Sequence, residues 1–245
     1  MNLLAVDIGN TNINFGIFCK NKLAREFSMP TRDYNLKSFK RMLGKSCIND
    51  TVICSVVPDV TGILAIDLKK ITGSKPYIIG KNLAIPVKNL YRKPKQVGQD
   101  RLVNAYAGIK LFGSPLIVVD FGTAITFDVV SKNKEYMGGM IIPGLKISLN
   151  TLAQNTALLP KINLQKPSEF IGRDTKSSML SGLVYGFAAL TDDLAKRIKQ
   201  KIGRHAKVIG TGGNIRLIAK FCQEINTVDP YLTLKGLLLA YNNRR

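Results

Sequence analysis

Two segments of the chain, about half its length apart, share one order of hydrophobic and polar positions. Residues 3–18 (LLAVDIGNTNINFGIF) and residues 116–130 (LIVVDFGTAITFDVV) each begin with a short apolar run. An aspartate follows each run, at Asp7 and Asp120, and a Gly turn then leads into a stretch of alternating apolar and polar residues. Such alternation is typical of a β-strand. Each segment therefore predicts a β-hairpin with a carboxylate at its bend.

The repeat of this hairpin predicts two similar lobes. A Gly-Ser-Pro sequence at residues 113–115 precedes the second hairpin and would interrupt a regular element. We therefore expect an N-terminal lobe of residues 1–114 and a C-terminal lobe of residues 115–245.

Between and after the hairpins, the pattern indicates alternating helices and strands. Strands are predicted at residues 51–57, 76–79 and 206–209, and helices after Asp59, near Asp100, over residues 175–201 and from residue 215. Asp174 stands where the third of these helices needs an N-cap. The apolar face predicted for that helix comprises Leu180, Leu183, Val184, Phe187, Leu190, Leu194 and Ile198. The leucines of residues 234–239 are expected in the core.

The composition indicates a globular chain with a large excess of positive charge. Of 245 residues, 45% are hydrophobic, which suffices for one large core or two smaller ones. Lys and Arg number 36 against 16 Asp and Glu, giving a formal charge of +20. Such a charge could serve nucleic acid, an acidic membrane surface or small anions. The cations are scattered, and the densest group, residues 88–95, lies in a Pro-broken loop, so nucleic-acid binding is disfavoured.

Cysteine and histidine usage argues against a zinc site. The four cysteines form no C-x-x-C pair, and His205, in an expected surface loop, is the only histidine in the sequence. Reduced thiols in a cytoplasmic protein are the simpler interpretation. No basic segment precedes the first apolar residues, and no apolar run reaches the roughly 18 residues of a membrane span.

The hairpin bends carry the groups that a nucleoside triphosphate requires. Gly9 lets the backbone approach a phosphate, Thr11 and Asn12 supply donors, and Asp7 can hold Mg²⁺ directly or through water. Residues 120–123 repeat this arrangement. Asp, Gly and Asn also favour ordinary turns, but two copies at a half-chain interval favour phosphate binding.

Other nucleotide motifs are incomplete. Gly44-Lys45-Ser46 resembles the end of a Walker A loop, but Phe39 stands where its first Gly is required. Residues 210–214 (GTGGN) lack the third Gly of a dinucleotide fingerprint. A P-loop and a Rossmann dehydrogenase are therefore disfavoured. A Gly-rich turn before a helix remains, where adenosine or a phosphate could lie.

The segment of residues 91–101 (YRKPKQVGQDR) ends with Asp100 and Arg101 at a predicted helix start. Helix capping and dipole complementarity explain such a pair. Alternatively, Asp100 accepts the proton of an attacking hydroxyl and Arg101 binds an anionic group of the acceptor. Both explanations stay open from the residues alone.

Taken together, the motifs of the chain resemble those of the type III pantothenate kinase family. They are D-I-G-N-T-N (7–12), Y-x-x-P-x-x-x-G-x-D-R (91–101), D-F-G-T-A (120–124), G-G-x-I-x-P-G (138–144), T-A-x-L-P (156–160), G-x-D-T (172–175) and G-T-G-G-N (210–214). Each motif alone is moderately specific, but all occur in the order of the family.

This resemblance implies an α/β fold, the duplicated ribonuclease H-like fold of actin, Hsp70 and acetate and sugar kinases, with two lobes and a central cleft. It also implies a homodimer with the active site at the subunit interface. The implied reaction transfers the γ-phosphoryl of ATP to the primary hydroxyl of pantothenate, giving 4'-phosphopantothenate in the first step of coenzyme A biosynthesis.

The resemblance also assigns roles to individual residues. Asp100 would be the general base, and Asp120 would bind K⁺ or NH4⁺. The implied ATP-binding residues are Asp7, Ile8, Gly9, Asn10, Thr11, Asn12, Ile13, Asn14 and Thr123. The implied pantothenate-binding residues are Tyr91, Gly98, Gln99, Asp100, Arg101 and Thr175, with Arg101 as partner of the carboxylate. Gln99 departs from the smaller or apolar residue common at its position, and its side chain is expected to face solvent.

Two other functions remain open at this point. One is a kinase or phosphohydrolase of the same fold that acts on a sugar, an acetate-like acid or polyphosphate. The other is a non-catalytic, nucleotide-binding regulatory protein. Residues 91–101, here called the acceptor motif, and the three aspartates Asp7, Asp100 and Asp120 favour a pantothenate kinase over both.

Overall fold

The computed structural model of the protein describes residues 2–244. Its first elements are β1 (Asn2–Ile8), β2 (Asn12–Cys19), β3 (Lys22–Pro30), α1 (Leu36–Leu43), β4 (Asp50–Ser55), α2 (Pro58–Thr72), β5 (Tyr77–Ile78) and α3 (Gln99–Phe112). They are followed by β6 (Leu116–Phe121), β7 (Ala124–Val130), β8 (Tyr136–Pro143), α4 (Leu145–Gln154), α5 (Thr175–Ile202), β9 (Lys207–Thr211), α6 (Ile215–Ile218), β10 (Thr227–Val228) and α7 (Leu232–Asn242).

The strands form two five-stranded sheets with the same topology. Their orders are β3-β2-β1-β4-β5 and β8-β7-β6-β9-β10. In each sheet the first three strands pair antiparallel and the last two are added in parallel. This repetition confirms the duplicated α/β fold predicted from the two hairpins.

The bend carboxylates occupy equivalent places in the two sheets. Asp7 is the penultimate residue of β1 and pairs in register with Asn14 of β2. Asp120 is the penultimate residue of β6 and pairs with Thr126 of β7. The sequence repeat therefore reflects a structural repeat of the central hairpin.

The first compact unit comprises residues 2–87, 92–107 and 232–244 of the described chain. Its core lies between the first sheet and helices α1 and α2, which contribute Phe39, Leu43, Leu64 and Leu68. Helix α7 packs on β1, β2 and β4 of the same sheet. The unit thus differs from the predicted lobe of residues 1–114, because the last helix of the chain covers the first sheet.

The second compact unit comprises residues 88–91 and 108–231. Its core joins the second sheet to α4, α5 and α6. Helix α5 begins as predicted, since Asp174 forms a capping box with Ser177. On the predicted apolar face Leu180, Leu183, Val184 and Ile198 are buried, whereas Leu190 is 37% exposed.

Most predicted elements agree with the structure to within a few residues. Strand β4 ends at Ser55, before the predicted end at residue 57, because the Ser55 hydroxyl accepts a hydrogen bond from Val57 N and Pro58 begins α2. Strands β3, β8 and β10 and helices α1, α4 and α7 are not among the predicted elements. In the part of the chain that the structure describes, no helix has the length and apolar content needed to cross a membrane.

Candidate active site

The first hairpin presents polar residues to solvent at a hydrogen-bonded bend. Gly9 N donates to Asn12 O at 3.0 Å and closes the turn. The Thr31 hydroxyl donates to Gly9 O at 2.6 Å, and Thr31 N donates to Thr11 O, which fastens the bend to the end of β3. The residues at the tip, Asn10, Thr11 and Asn12, are exposed. They are therefore accessible to a ligand such as a phosphate.

Two residues expected to contact ATP, Ile8 and Ile13, have completely buried side chains. They pair with each other in the β1–β2 ladder, directly before and after the bend. Any part they take in binding must come from the backbone, and their side chains anchor the hairpin in the core of the first unit.

The negative charge of Asp100 acts on Asp7 within the first unit. Burial raises the pKa of Asp7 to about 7, and the negative charge of Asp100 adds to this rise. The Asn14 side-chain amide, which donates to Asp7 Oδ2 at 3.3 Å, opposes it. Burial also raises the pKa of Asp100, against the lowering effects of Arg101. Two like charges in a partly desolvated place favour protonation of one of them, and a cation bound beside them would relieve the same repulsion.

The carboxylate of Asp100 is held at the start of α3 by its own backbone surroundings. Arg101 N donates to Asp100 Oδ1 at 2.9 Å. The same oxygen lies against Gly98, so that a Cβ at residue 98 would fall within 3.0 Å of it. The following side chain, Arg101, is only 7% exposed. The acceptor motif thus places a glycine where the carboxylate of Asp100 needs space.

Gln99 does not have the solvent-facing side chain that the sequence suggested. The residue is half-buried, and its side-chain carbon Cδ lies 2.9 Å from where a Cβ of Gly80 would stand. That expectation is wrong because Gly80, at the loop after β5, leaves room for the Gln99 side chain to pack in the first unit.

Cys54 is a neighbour of the two aspartates that the sequence did not single out. It is completely buried in β4 and pairs in register with Asp7. Burial, together with the charges of Asp7 and Asp100, raises the pKa of its thiol. The thiol is therefore neutral at physiological pH. The sequence predicts only that Cys54 lies in a strand, and it does not predict which strand pairs with it.

In the second unit, Asp120 meets the Gly-rich turn of residues 210–214. Gly212 has φ +93°, and a Cβ there would collide with Asp120 Oδ1 and lie 2.7 Å from Phe121 N and C. Both the backbone N and the side-chain amide of Asn214 donate to Phe121 O, at 3.1 and 3.2 Å. The second hairpin and the Gly-rich turn, separated by about 90 residues in sequence, thus form one continuous surface.

The other residues of the second unit that are predicted to bind ATP or pantothenate lie on different elements. Thr123 is exposed at the tip of the second hairpin, and Thr175 is exposed at the first residue of α5. Tyr91 is half-buried and lies over Gly138 of β8. The Gly98 to Arg101 segment and the first hairpin belong to the first unit.

The side chains present fit cations of the hard, oxygen-preferring kind. Asp7 and Asp100 supply carboxylates whose charges repel each other, and Asp120 supplies one at the second hairpin. Within residues 2–244, no group of three or more His, Cys, Asp or Glu side chains is arranged around a common point. A metal held here would therefore take further ligands from phosphate oxygens or water, as Mg²⁺ commonly does at nucleotide sites.

The sequence of the chain is similar to proteins of one enzyme family over nearly its whole length. The family model described as type III pantothenate kinase matches residues 3–197. A type III pantothenate kinase from Bacillus cytotoxicus is 39% identical over 249 residues, covering 98% of this chain and 95% of that protein.

Solved structures of lower sequence identity share the fold. A conserved Baf family protein from Campylobacter jejuni, with the proposed role of transcriptional activator, has a TM-score of 0.60 at 21% identity, covering 98% of this chain and 97% of its own. The ethanolamine utilization protein EutJ from Carboxydothermus hydrogenoformans has a TM-score of 0.57 at 15% identity, covering 98% and 89%. At these identities the likeness shows the duplicated ribonuclease H-like fold alone.

Proposed function

The chain belongs to the type III pantothenate kinase family, an ATP-dependent kinase of coenzyme A biosynthesis that phosphorylates pantothenate, and we propose that Asp100 is the general base of this reaction. The observation that carries the proposal is the half-buried Asp100 carboxylate at the start of α3, held by Arg101 N at 2.9 Å and close to Gly98. The acceptor motif that ends in Asp100 and Arg101 agrees with the family to which the chain belongs.

Asp100 has the properties expected of a base that orients a hydroxyl. Burial raises the pKa of Asp100, which brings its proton affinity closer to that of a useful base near neutral pH. The transition state of phosphoryl transfer is loose, so a carboxylate that positions the attacking hydroxyl and takes its proton late suffices. The proton leaves the pantothenate hydroxyl for an Asp100 oxygen as the oxygen–phosphorus bond forms and ADP departs.

The remaining residues of the acceptor motif would hold pantothenate. Arg101, directly after the base, is the proposed partner of the pantothenate carboxylate, because a guanidinium can make two parallel hydrogen bonds with it. Gly98, Gln99, Tyr91 and Thr175 complete the proposed set of pantothenate-binding residues. The first hairpin, from Asp7 to Asn14, and Thr123 of the second hairpin would bind the phosphates of ATP through exposed backbone and side-chain donors.

Two cations complete the proposal. Asp7 would hold Mg²⁺ directly or through water, and Asp120 would hold K⁺ or NH4⁺. When bound, such ions offset the negative charge of the phosphates and of the aspartates themselves.

We also propose that the protein acts as a homodimer through the surface between α4 and α5. A groove of about 340 Å³ lies there, with the small residues Ser178, Gly182 and Gly186 along it. Ile147 and Leu152 of α4 and Leu190 of α5, between 37% and 42% exposed, add apolar surface. Small residues allow a second helix to approach closely, and an exposed apolar patch on one face suits a self-complementary contact.

The proposed base is tested by ADP release with ATP, Mg²⁺ and K⁺, in the presence and absence of pantothenate. Asp100→Asn should lower kcat by roughly 10²- to 10⁴-fold. Asp59→Asn is the matched control, because Asp59 is also an acidic residue in the first turn of a helix but is exposed. If both substitutions lower kcat equally, the helix-capping explanation of Asp100 is the better one. Turnover by the unsubstituted protein that does not require pantothenate would contradict the assigned acceptor.

A further inference from the structure

Asp128 is a completely buried carboxylate that the proposed reaction does not use. It lies in β7 with 0% exposure. The Tyr136 hydroxyl donates to Asp128 Oδ1 at 2.9 Å, and the Thr126 hydroxyl donates to Asp128 Oδ2 at 3.0 Å. Burying a carboxylate is costly even when it is hydrogen-bonded. These two hydrogen bonds offset part of that cost and fix the Tyr136 and Thr126 hydroxyls relative to β7.

Tyr136 joins Asp128 to the start of the acceptor motif. Tyr136 N donates to Lys88 O at 2.8 Å, and Leu90 N donates to Tyr136 O at 2.8 Å. The backbone of Tyr136 thereby ties the segment of residues 88–91 to the first residue of β8. This segment belongs to the second unit, together with Asp128 and Tyr136.

The ring of Tyr91 lies against β8 at Tyr136 and Gly138. Its centroid is 6.5 Å from that of Tyr136, with an angle of 38° between the ring planes. A Cβ at Gly138 would stand 3.4 Å from Tyr91 Cδ2 and Cε2. Strand β8 is irregular between these two residues, where Tyr136 pairs with Val130 and Gly138 with Val129, and the Tyr91 ring contacts both of them. The Tyr91 ring therefore packs against the ring of Tyr136 and against the backbone of Gly138.

We propose that Asp128 and Tyr136 are positioning residues for the kinase reaction. Asp128 fixes the hydroxyl, and hence the ring, of Tyr136, and Tyr136 in turn fixes the backbone and ring of Tyr91 for pantothenate. Thr126 satisfies the second oxygen of Asp128. The inference rests on the proposed role of Tyr91 in binding pantothenate, and it extends the site to a buried carboxylate that touches no substrate.

The test uses three substitutions that change polar interactions of one side chain and leave its shape nearly unchanged. Tyr136→Phe and Asp128→Asn act on the proposed pair. Tyr241→Phe is the matched control, because Tyr241 is also a completely buried tyrosine whose hydroxyl donates to an aspartate, Asp50, in the first unit. For each protein, KM for pantothenate, KM for ATP, kcat and Tm are measured.

Tyr136→Phe and Asp128→Asn should raise KM for pantothenate roughly two- to tenfold, the range that an aromatic contact commonly contributes. KM for ATP should stay within about twofold. In a Tyr91→Ala background, Tyr136→Phe should add little to KM for pantothenate, because the ring it positions is already absent. Equal changes in KM for both substrates, or the same kinetic changes in Tyr241→Phe, would overturn the proposal.

A second measurement separates this proposal from the role assigned to Tyr91. The unfolding free energies of the Tyr91→Ala and Tyr136→Phe single variants and of the double variant give the coupling between the two residues without any substrate. If Tyr91→Ala leaves KM for pantothenate unchanged, the role of Tyr91 in binding is wrong. If the stability effects are strictly additive, Tyr136 does not hold Tyr91, and the positioning role is wrong.

Discussion

An oxygen of the Asp100 carboxylate lies against the α-carbon of Gly98, where any side chain would meet it. We therefore predict that Gly98→Ala moves the Asp100 carboxylate and lowers kcat roughly 10- to 100-fold, since small displacements of a catalytic group have effects of this size. The change is checked by steady-state kinetics. Gly62→Ala is the matched control, because Gly62 of α2 has nothing within 4 Å of an added Cβ. An unchanged kcat in Gly98→Ala would mean that Asp100 is not held in the position described.

The pKa of Asp7, raised from 3.8 to about 7, predicts a pH-dependent stability. Between these two values the folded protein keeps a proton that the unfolded chain has lost. The free energy of unfolding should therefore fall as the pH rises from about 4 to 7, and this contribution should level off above 7.

Asp7→Asn removes this buried charge and should raise Tm at pH 8 by roughly 4–8 °C, which corresponds to about 2 kcal/mol for a chain of this size. At pH 4.5 the gain should be much smaller, because Asp7 is already protonated in the folded protein. Thermal unfolding is measured in EDTA, with Asp59→Asn as the exposed control. An equal gain at both pH values would contradict the assignment of the shift to Asp7.

Gly212 of the Gly-rich turn should tolerate no side chain. Its φ of +93° is unfavourable for other residues, and a Cβ would meet Asp120 and the backbone of Phe121. Gly212→Ala should lower the free energy of unfolding by at least about 1 kcal/mol and raise the K⁺ concentration needed for half-maximal activity. Gly213→Ala, with nothing within 4 Å of an added Cβ, is the control one residue away. If Gly212→Ala and Gly213→Ala have the same stability and the same K⁺ dependence, the contact between the turn and Asp120 contributes nothing to K⁺ binding.

The groove between α4 and α5 should be sensitive to charge if it joins two copies of the chain. Gly186→Glu places a carboxylate in this groove and should shift the protein from dimer to monomer in sedimentation experiments. Gly62→Glu puts the same side chain on an exposed glycine of α2, in the first unit, and should leave the dimer intact. A monomeric parent protein, or a dimer that survives Gly186→Glu, would rule out this surface as the interface.

The parts of the fold that the sequence predicted depend on neighbouring residues. The alternation around Asp7 and Asp120 arises within each hairpin, and the Asp174 cap needs only residues up to Ser177. Local patterns of this kind appear in a single sequence because the interacting groups are a few positions apart.

The parts that the sequence did not predict depend on contacts between distant segments. Asp128 continues the polar alternation of β7 and could be taken for a solvent-facing residue, yet it is buried by Tyr136 and the rest of the second unit. Gln99 was expected in solvent because the glycine that accommodates it, Gly80, lies 19 positions earlier. Cys54 approaches Asp7 only through the pairing of β4 with β1.

Helix α7 is the last element of the chain to be synthesised, and the first unit needs it to complete its packing. It packs on β1, β2 and β4, where Tyr241 donates a hydrogen bond to Asp50 of β4. Thr233 donates another to Asn104 of α3. A ribosome must therefore translate more than 120 further residues after α3 before α7 is complete and can pack on the first sheet. Residues 108–231 belong to the second unit and precede α7 in the chain, so the second unit can complete its packing before the first one does.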